Sequence, residues 1–225
     1  MKLLNFKPAA LSAALVAAAI TPAYADIIVS EVDAAGSATT TYAADWFELT
    51  NTGAAAVSIS GWKMDDNSNA FASAVALRGV TSIAAGQSVV FVEGNTTGST
   101  DATIDANFET AWFGSNIPSG FVIGNYGGSG VGLSQTTDAV NIFNSTGTWI
   151  TGVNFGASAL GNTFDNAAGL SGVTISQFSV AGINGAFTSH NGVEVGSPGT
   201  VPVPAAVWLF TSALAGFLGI SRRKS

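Results

Sequence analysis

Short apolar runs that alternate with polar residues fill the middle of the chain, from about residue 26 to residue 199. In Val57–Met64 the apolar positions alternate with polar or small ones, and their phase shifts by one residue at Gly61, as a β-bulge would shift it. Alternation of this kind is typical of a strand with one buried face. The pattern predicts eight strands: Ile27–Val32, Trp46–Thr50, Val57–Met64, Val80–Ile83, Ser88–Val92, Phe121–Ile123, Ala139–Asn144 and Trp149–Phe155.

Turn-forming residues separate these runs, and helical periodicity is scarce. Gly, Asn, Asp and Ser recur roughly every 8–12 residues, which is typical of a β-sandwich or barrel. Asp105–Trp112 is the one short helix predicted, and Thr96–Ala106 and Tyr126–Ser134 are predicted to be long surface loops. Ser88–Val92 is apolar nearly throughout, so we expect both of its faces to be covered. The predicted fold class is all-β.

The first 25 residues have the pattern of a secretory signal peptide. Lys2 and Lys7 precede a mostly apolar stretch, which ends at an A-x-A cleavage site. The residues of that site are Ala23 and Ala25, with Asp26 as the first residue of the mature chain. The alternative is a retained membrane anchor, but the apolar run is short for a span. Signal peptidase is therefore an expected partner.

The other end of the chain predicts a single transmembrane helix. A charge-free run from Ala205 to Ile220 follows a proline pair, and as a helix it would span ~24 Å. Counting from Val201 gives about the length that a bilayer requires. The basic cluster Arg222, Arg223 and Lys224 follows and should stay cytoplasmic. The alternative is a buried C-terminal helix of the domain.

Composition and charge narrow the class of protein. Charged residues are only 9% of the 225, glycine accounts for 27, and cysteine is absent, which excludes disulfides and thiolate chemistry. The formal net charge is −7, but between the two ends only Lys63 and Arg78 are basic. Against all 14 carboxylates, this central region has a balance of −12. An acidic domain repels phosphate backbones, so no nucleic-acid partner is expected.

The C-terminal tail resembles the PEP-CTERM sorting signal of Gram-negative bacteria. The matching parts are the apolar span with Trp208–Phe210, the terminal basic cluster and the proline motif Val201, Pro202, Val203, Pro204 and Ala205. Val203 stands where the eponymous motif has glutamate, as in a Val-Pro-x-Pro-Ala variant. The resemblance implies recognition by an exosortase, a membrane protease or transpeptidase, followed by release or transfer to the cell surface. It also implies an association with exopolysaccharide and biofilm matrix.

The central region resembles the lamin-tail domain. The segments that carry the resemblance are Ile27–Val32, Asp45–Gly53, Val57–Asp66, Ile83–Phe91, Asp138–Asn144, Trp149–Phe155 and Gly196–Gly199. It implies a compact immunoglobulin-like β-sandwich over residues 26–160, with 161–200 as a C-terminal extension and linker before the sorting tail at 201–225. The stretch from residue 94 to residue 135 is longer than a minimal domain of this family would need between its strands.

Hard oxygen ligands cluster in one acidic turn. Asp65, Asp66, Asn67 and Asn69 match the first half of the EF-hand pattern. The match then fails, because Ala70 replaces the required glycine and Ala76 the bidentate glutamate. Calcium is therefore only a candidate cofactor here, beside the alternative of a solvated turn, and no other metal or cofactor is predicted.

The tryptophans, two glutamates and the histidine could bind a ligand or catalyse a reaction, and each also has a purely structural interpretation. Trp46 and Trp62 are expected in the core, whereas Trp112 follows a polar loop and is a candidate to stack on a sugar. Glu31 and Glu48 form a carboxylate pair of the kind that glycosidases use. We favour the alternative, in which both residues have a structural role. Their side chains would then face solvent or form an ion pair with Lys63 or Arg78. His190, the only histidine, is expected in a solvated turn.

These features together predict a non-enzymatic, exported protein of the cell surface or extracellular matrix. It would pass through an inner-membrane intermediate in a Gram-negative bacterium and contact extracellular polysaccharide. The alternatives are a secreted hydrolase that depends on metal or carboxylates, and a binding module anchored permanently in the membrane. No catalytic residue is assigned.

Overall fold

The computed structural model of the protein describes residues 27–200, and this part of the chain is mostly β, as predicted. Its helices are α1 (Gly36–Thr39) and α2 (Asp101–Phe113). Its strands are β1 (Ile27–Asp33), β2 (Trp46–Asn51), β3 (Val57–Ser58), β4 (Lys63–Asp65), β5 (Val75–Ala76), β6 (Ser82–Ile83), β7 (Ser88–Gly94), β8 (Ile123–Gly127), β9 (Asp138–Phe143), β10 (Trp149–Phe155), β11 (Phe164–Asp165), β12 (Val173–Ile175), β13 (Phe187–Thr188) and β14 (Val195–Gly196).

The first of two five-stranded sheets has the order β11-β1-β2-β7-β8. Its strands are antiparallel except for β7 and β8, which run parallel. Every residue of β1 and β2 is buried, because both faces of this sheet are covered. The register of β1 against β2 shifts between Val29 and Glu31, which marks a bulge.

The second five-stranded sheet has the order β12-β10-β9-β4-β5. Strands β9 and β10 form a hairpin, closed by the turn that the sequence predicts at Asn144–Gly147. The Asn144 side chain accepts hydrogen bonds from the backbone N–H groups of Thr146 and Thr148, and Gly147 adopts a φ of 86°. That left-handed conformation favours glycine. Strand β12 runs parallel to β10 at the sheet edge.

The two large sheets enclose the main hydrophobic core. Phe47 and Phe91 from the first sheet and Ile142, Val153 and Phe155 from the second belong to this cluster, each at most 1% exposed. Burying side chains of this size contributes about 1.5–3 kcal/mol each. The architecture is a β-sandwich, consistent with the immunoglobulin-like sandwich that the lamin-tail resemblance implies.

A second apolar cluster lies on the other face of the first sheet. There Trp46, Val90 and Val92 belong to the same cluster as Phe108 and Trp112 of α2. The ring centroids of Trp46 and Phe108 are 5.6 Å apart, and those of Trp46 and Trp112 are 5.8 Å apart, both in edge-to-face geometry. The alternate β7 residues belong to the main core, so the prediction that both faces of Ser88–Val92 are covered is confirmed.

The helix predicted at Asp105–Trp112 is confirmed, and α2 begins four residues earlier. Its first turns therefore replace part of the loop predicted for 96–106. The loop predicted for 126–134 is not a surface loop throughout, because Tyr126, Val131 and Leu133 are buried. Their side chains belong to the main core.

The single strand predicted for Val57–Met64 is wrong. Strand β3 pairs with β6, whereas β4 joins the second sheet, so the chain changes sheets between them. The Trp62 N–H donates to the Ile59 carbonyl (3.0 Å), and Gly61 has a φ of 74°. The phase shift at Gly61 therefore marks a turn rather than a bulge. The strand predicted at Val80–Ile83 is shortened to β6, and the one predicted at Phe121–Ile123 overlaps β8 only at Ile123.

Residues 161–200 add to both large sheets. Strand β11 pairs with β1, and β12 pairs with β10. Within residues 27–200, no helix is both long enough and apolar enough to span a bilayer. The predicted signal peptide (1–25) and the predicted sorting tail (201–225) lie outside the described residues.

Candidate functional site

Glu31 and Glu48 are direct neighbours across strands β1 and β2. The register pairs them, and both side chains are at most 1% exposed. Glu48 is preceded and followed in β2 by core residues, Phe47 and Leu49, so its own side chain lies on the opposite, outer face of the sheet. The bulge after Val29 brings Ser30 beside this face as well, where its hydroxyl reaches Glu48.

Residues from the C-terminal segment surround Glu31. Its Oε1 accepts hydrogen bonds from the Thr163 hydroxyl (2.5 Å), the Ser197 N–H (2.7 Å) and the Ser179 hydroxyl (3.3 Å). Its Oε2 accepts from the Ser197 hydroxyl (3.1 Å). A buried carboxyl is costly unless it is hydrogen-bonded, and here all of these partners lie beyond residue 160.

Glu48 is held by both β1 and the C-terminal segment. The Ser30 hydroxyl donates to its Oε1 (2.7 Å), and the Gly199 N–H donates to its Oε2 (2.5 Å). One residue further on, the Ser88 hydroxyl donates to the Thr200 carbonyl (3.0 Å). The last described residues are therefore fastened to the sheet through these polar groups.

Burial governs the protonation of this pair. Desolvation raises the pKa of Glu31 to about 7, against the lowering effect of its hydrogen bonds. The pKa of Glu48 rises to about 8, first through desolvation and then through the neighbouring charge of Glu31. Well below pH 7 both side chains hold a proton, whereas above about pH 8 two adjacent buried carboxylates face each other, and none of residues 27–200 supplies a cation to them.

A second pair of buried carboxyls consists of Asp33, at the end of β1, and Glu194, just before β14. Tyr42 donates from its hydroxyl to Glu194 Oε1 (2.5 Å) and accepts from the indole N–H groups of Trp46 (3.1 Å) and Trp112 (3.3 Å). The Asp33 carboxyl is hydrogen-bonded to the Glu194 carboxyl. Burial, and next the charge of Glu194, raises the pKa of Asp33 to about 8. This group also joins the sheet to the C-terminal segment.

Comparison with known proteins identifies the family of this sandwich. The family model of the lamin tail domain matches residues 20–157. The chain belongs to the lamin tail domain family. Neither a curated protein nor a solved structure matches it.

The matched part of the lamin tail domain ends before the residues that close the carboxyl site. Thr163, Ser179, Ser197 and Gly199 all lie beyond residue 157 and supply most of the hydrogen bonds to Glu31 and Glu48. Sequence reasoning did not find these partners. The only signal for them was the small-residue segment Gly196–Gly199, which contains Ser197 and Gly199 and carries part of the lamin-tail resemblance.

The expectation that Glu31 and Glu48 face solvent or share a cation is wrong, whereas their favoured structural role fits the geometry. Arg78 instead forms an ion pair with Asp101 (2.9 Å), and the Lys63 ammonium lies 4.6 Å from the centre of the Phe71 ring. A substrate could not reach the two carboxyls without displacing residues 163–199. Their arrangement can fasten the C-terminal segment in a proton-dependent way.

Trp112 is not available to a sugar in the lamin tail domain. It is 1% exposed, its ring packs edge-to-face against Trp46 and Phe187, and its N–H is bonded to Tyr42. The expectation of an exposed ring is therefore corrected, because α2 packs its apolar residues against the outer face of the first sheet. Trp46 and Trp62 are buried, as expected.

The acidic turn uses its oxygens inside the domain. Asp65 is fully buried, and its carboxylate accepts from the Ser68 hydroxyl (2.6 Å), the Ala70 N–H (2.7 Å) and the Ser73 hydroxyl (3.0 Å). Asp66 accepts from the Ser68 N–H (2.8 Å). Asn69 adopts a φ of 48°, and Asn67 donates its N–H to Asp138 (3.0 Å). Among residues 27–200, no three acidic or histidine side chains are grouped to hold a metal ion. Calcium at this turn stays a prediction.

The remaining predicted site residues fall into two groups. His190 is exposed in a turn, as expected, with its N–H donating to the Trp112 carbonyl (3.0 Å). The cleavage residues Ala23, Ala25 and Asp26 lie outside the described residues. So do the sorting motif and the basic cluster, namely Val201, Pro202, Val203, Pro204, Ala205, Arg222, Arg223 and Lys224.

Proposed function

We propose that this lamin-tail protein is a non-enzymatic component of the cell surface or extracellular matrix of a Gram-negative bacterium. Residues 1–25 direct its export, and signal peptidase removes them. An exosortase then reads the proline motif at 201–205 and processes an inner-membrane intermediate. The exported domain associates with extracellular polysaccharide, with calcium as a candidate bridge.

The observation that carries this proposal is the order of parts in the C-terminal tail. A proline motif, an apolar run and a basic cluster follow one another over residues 201–225. This order suits a segment that is held in a membrane with its basic end in the cytoplasm and is read by an enzyme on the other side. The folded domain leads directly into it, since Thr200 is still bonded to Ser88 of β7.

The hydrogen bonds of the paired carboxyls Glu31 and Glu48 support a non-enzymatic role. Glu31 and Glu48 would be the natural acid and base of a glycosidase, but residues of the C-terminal segment occupy their hydrogen-bonding positions. A hydrolase needs such groups at a surface that a substrate can reach. A structural role in closing the sandwich accounts for both side chains.

Replacing Pro202 and Pro204 together by alanine tests the sorting role. We expect the variant to remain in the inner membrane with residues 205–225 attached, because the recognition motif is lost while the apolar run is kept. Mass spectrometry of the wild-type protein should show a mature N-terminus at Asp26 and a C-terminus without the basic cluster.

Pro198→Ala is the matched control, since this proline lies just before the motif and within the folded segment. It should be processed like the wild type. Equal release of the Pro202/Pro204 variant and the wild type would exclude sorting through this motif.

A further inference from the structure

The outer face of the second sheet carries an exposed tryptophan. Of the four tryptophans in the described residues, Trp46, Trp62 and Trp112 are at most 8% exposed, whereas Trp149 at the start of β10 is 39% exposed. The register pairs Trp149 with Phe143, which lies on the opposite face of β9 from the core residue Ile142. Trp149 therefore lies on the outer side of the sandwich.

A hydrogen bond holds the Trp149 indole on the sheet, and its far corner extends towards Gly172. Its N–H donates to Asn141 Oδ1 on β9 (2.9 Å). Its far corner, Cη2, lies 4.0 Å from where a Cβ on Gly172 would be, just before β12. Strand β10 lies between β9 and β12, so the ring extends across it. The bulge between Trp149 and Thr151 makes Gly152 the next residue on this face, and a glycine leaves room for a ring that lies along the sheet.

Polar side chains continue this face beyond the ring. Asn154 and Thr174 are paired in register between β10 and β12, and both are exposed. Since Val153 and Phe155 belong to the core, Asn154 is on the outer side with Trp149. A fixed aromatic plane bordered by amide and hydroxyl groups matches a pyranose ring, which has an apolar C–H face and a rim of hydroxyls. Little side-chain freedom remains to be lost on binding.

One positive charge lies beside this face. Lys63 on β4 is paired with Phe143, which in turn is paired with Trp149, so the Cα atoms of Lys63 and Trp149 are two strand spacings apart, roughly 10 Å. Lys63 forms no ion pair with the other described residues, and its ammonium is positioned over Phe71. Phe71 is itself packed against Phe143. The described residues thus place an unpaired cation next to the aromatic plane. The carboxylate on the same side of β4, Asp65, is fully buried and accepts hydrogen bonds from Ser68, Ala70 and Ser73.

We propose that this face, defined by Trp149, Asn154, Thr174 and Lys63, binds an acidic polysaccharide built from pyranose units. Trp149 stacks on the C–H face of one sugar ring, and Lys63 pairs with the carboxylate of a uronate unit along the chain. This inference rests on the proposed function, because it names the class of polymer that the exported domain binds.

Affinity electrophoresis of the full-length protein, purified in detergent, tests the proposal. The gels contain polygalacturonate as the acidic probe and dextran as a neutral polymer of pyranose units. We expect polygalacturonate to retard the wild type, and Trp149→Ala to weaken that binding about tenfold, in line with the loss of one stacking contact. Trp149→Phe should keep part of the binding, because it keeps an aromatic face.

A variant at Lys63 tests the contribution of its charge to binding, and a variant at Leu160 controls for the loss of any exposed apolar side chain. Lys63→Gln should weaken binding to polygalacturonate several-fold, reduce its dependence on salt, and leave any binding to dextran unchanged. Leu160→Ala is the matched control for an exposed apolar side chain, since Leu160 is 67% exposed and follows β10 rather than lying on this face. It should bind like the wild type. A thermal melt of each variant shows that it is folded.

Several outcomes would overturn the proposal. One is a wild type that polygalacturonate does not retard, and another is a folded Trp149→Ala variant that binds as well as the wild type. A change in sedimentation of the protein alone on Trp149→Ala would assign this face to self-association instead. Failure of tail processing leaves these gels unchanged, so the proposed function and this inference fail separately.

Discussion

The roles of Glu31 and Glu48 depend on the C-terminal segment that covers them. Each occupies a β-strand position that alternates with core residues, a pattern that usually leaves the side chain in water. Here the same positions lie beneath residues 163–199, which supply hydroxyl and N–H donors in place of water. The energetic consequence is a raised pKa for both carboxyls rather than a salt bridge.

Glu48→Gln and Glu48→Ala distinguish the effect of ionising Glu48 from the effect of removing its hydrogen bonds and its bulk. Glutamine keeps an acceptor for Gly199 and a polar contact with Ser30, so near pH 5 we expect a stability within about 1 kcal/mol of the wild type. Near pH 8 it should be more stable than the wild type, because position 48 no longer carries a buried charge beside that of Glu31. Alanine should cost about 1–3 kcal/mol at both pH values, since buried donors lose their acceptor.

Urea unfolding of both variants at the two pH values measures these effects. Glu109→Gln, a change on the half-buried part of α2, serves as the control and should follow the wild-type pH dependence. If Glu48→Gln loses as much stability between the two pH values as the wild type does, the role given to Glu48 is wrong.

At the scale of elements, the C-terminal segment completes the sandwich instead of trailing from it. Strands β11 and β12 extend one sheet each, and Val195–Thr200 passes over the carboxyl pair. Close contact there depends on Gly196. A Cβ at this position would lie 2.7 Å from Glu31 Oε1, 2.9 Å from Thr163 Cγ2 and 2.9 Å from Trp112 Cη2.

Gly196→Ala should therefore destabilise the protein by about 1–3 kcal/mol, because all three neighbours are buried and cannot move away freely. Gly156→Ala is the matched control, since no atom lies within 4 Å of its added Cβ. It should change stability by no more than about 0.5 kcal/mol. Equal midpoints for the two variants in urea unfolding would contradict the close packing of the segment on Glu31.

For the whole molecule, the distribution of charge differs from what the composition suggests. Of the 13 carboxylates in residues 27–200, seven are buried, namely Glu31, Asp33, Asp45, Glu48, Asp65, Asp138 and Glu194. The other six are half-buried. The surface is therefore less acidic than a balance of −12 implies, and part of the formal charge is a property of the interior.

Stability should consequently fall as the pH rises. Burial raises the pKa of Asp45 to about 7, as it raises those of Glu31, Asp33 and Glu48 to about 7–8, all above their values of 3.8 or 4.5 in an unfolded chain. The folded state then binds protons more tightly, so the stabilisation is complete below about pH 4 and is lost as the pH rises through 7–8. We expect the Tm to fall by roughly 5–10 °C between about pH 5 and about pH 8.

Thermal melts across this range check the prediction, and salt provides the control. At about 1 M NaCl the Debye length is about 3 Å, so repulsion between surface charges is screened while the buried groups are not. The decrease in Tm should persist under this condition. A Tm that is constant or rises from about pH 5 to about pH 8 would contradict the assignment of buried, protonated carboxyls.

Local patterns were sufficient for much of the fold. The alternation in Trp46–Thr50 and Trp149–Phe155, and the turn residues at Asn144–Gly147, predict strands and a hairpin that the structure contains. These features depend on neighbouring residues and on the period of a strand. The sheet change near Gly61 could not be read in this way, because a turn and a bulge shift the phase of a pattern alike.

The sequence by itself determined the class of the fold and the family resemblance, and it predicts two terminal signals, because each depends on residues close together in the chain. Only the tertiary structure decided that Glu31 and Glu48 are buried, that Trp112 is enclosed by α2 and that Trp149 is exposed. Burial depends on which distant segment covers a strand face. Residues 161–200, more than 100 positions from Glu31, provide that cover.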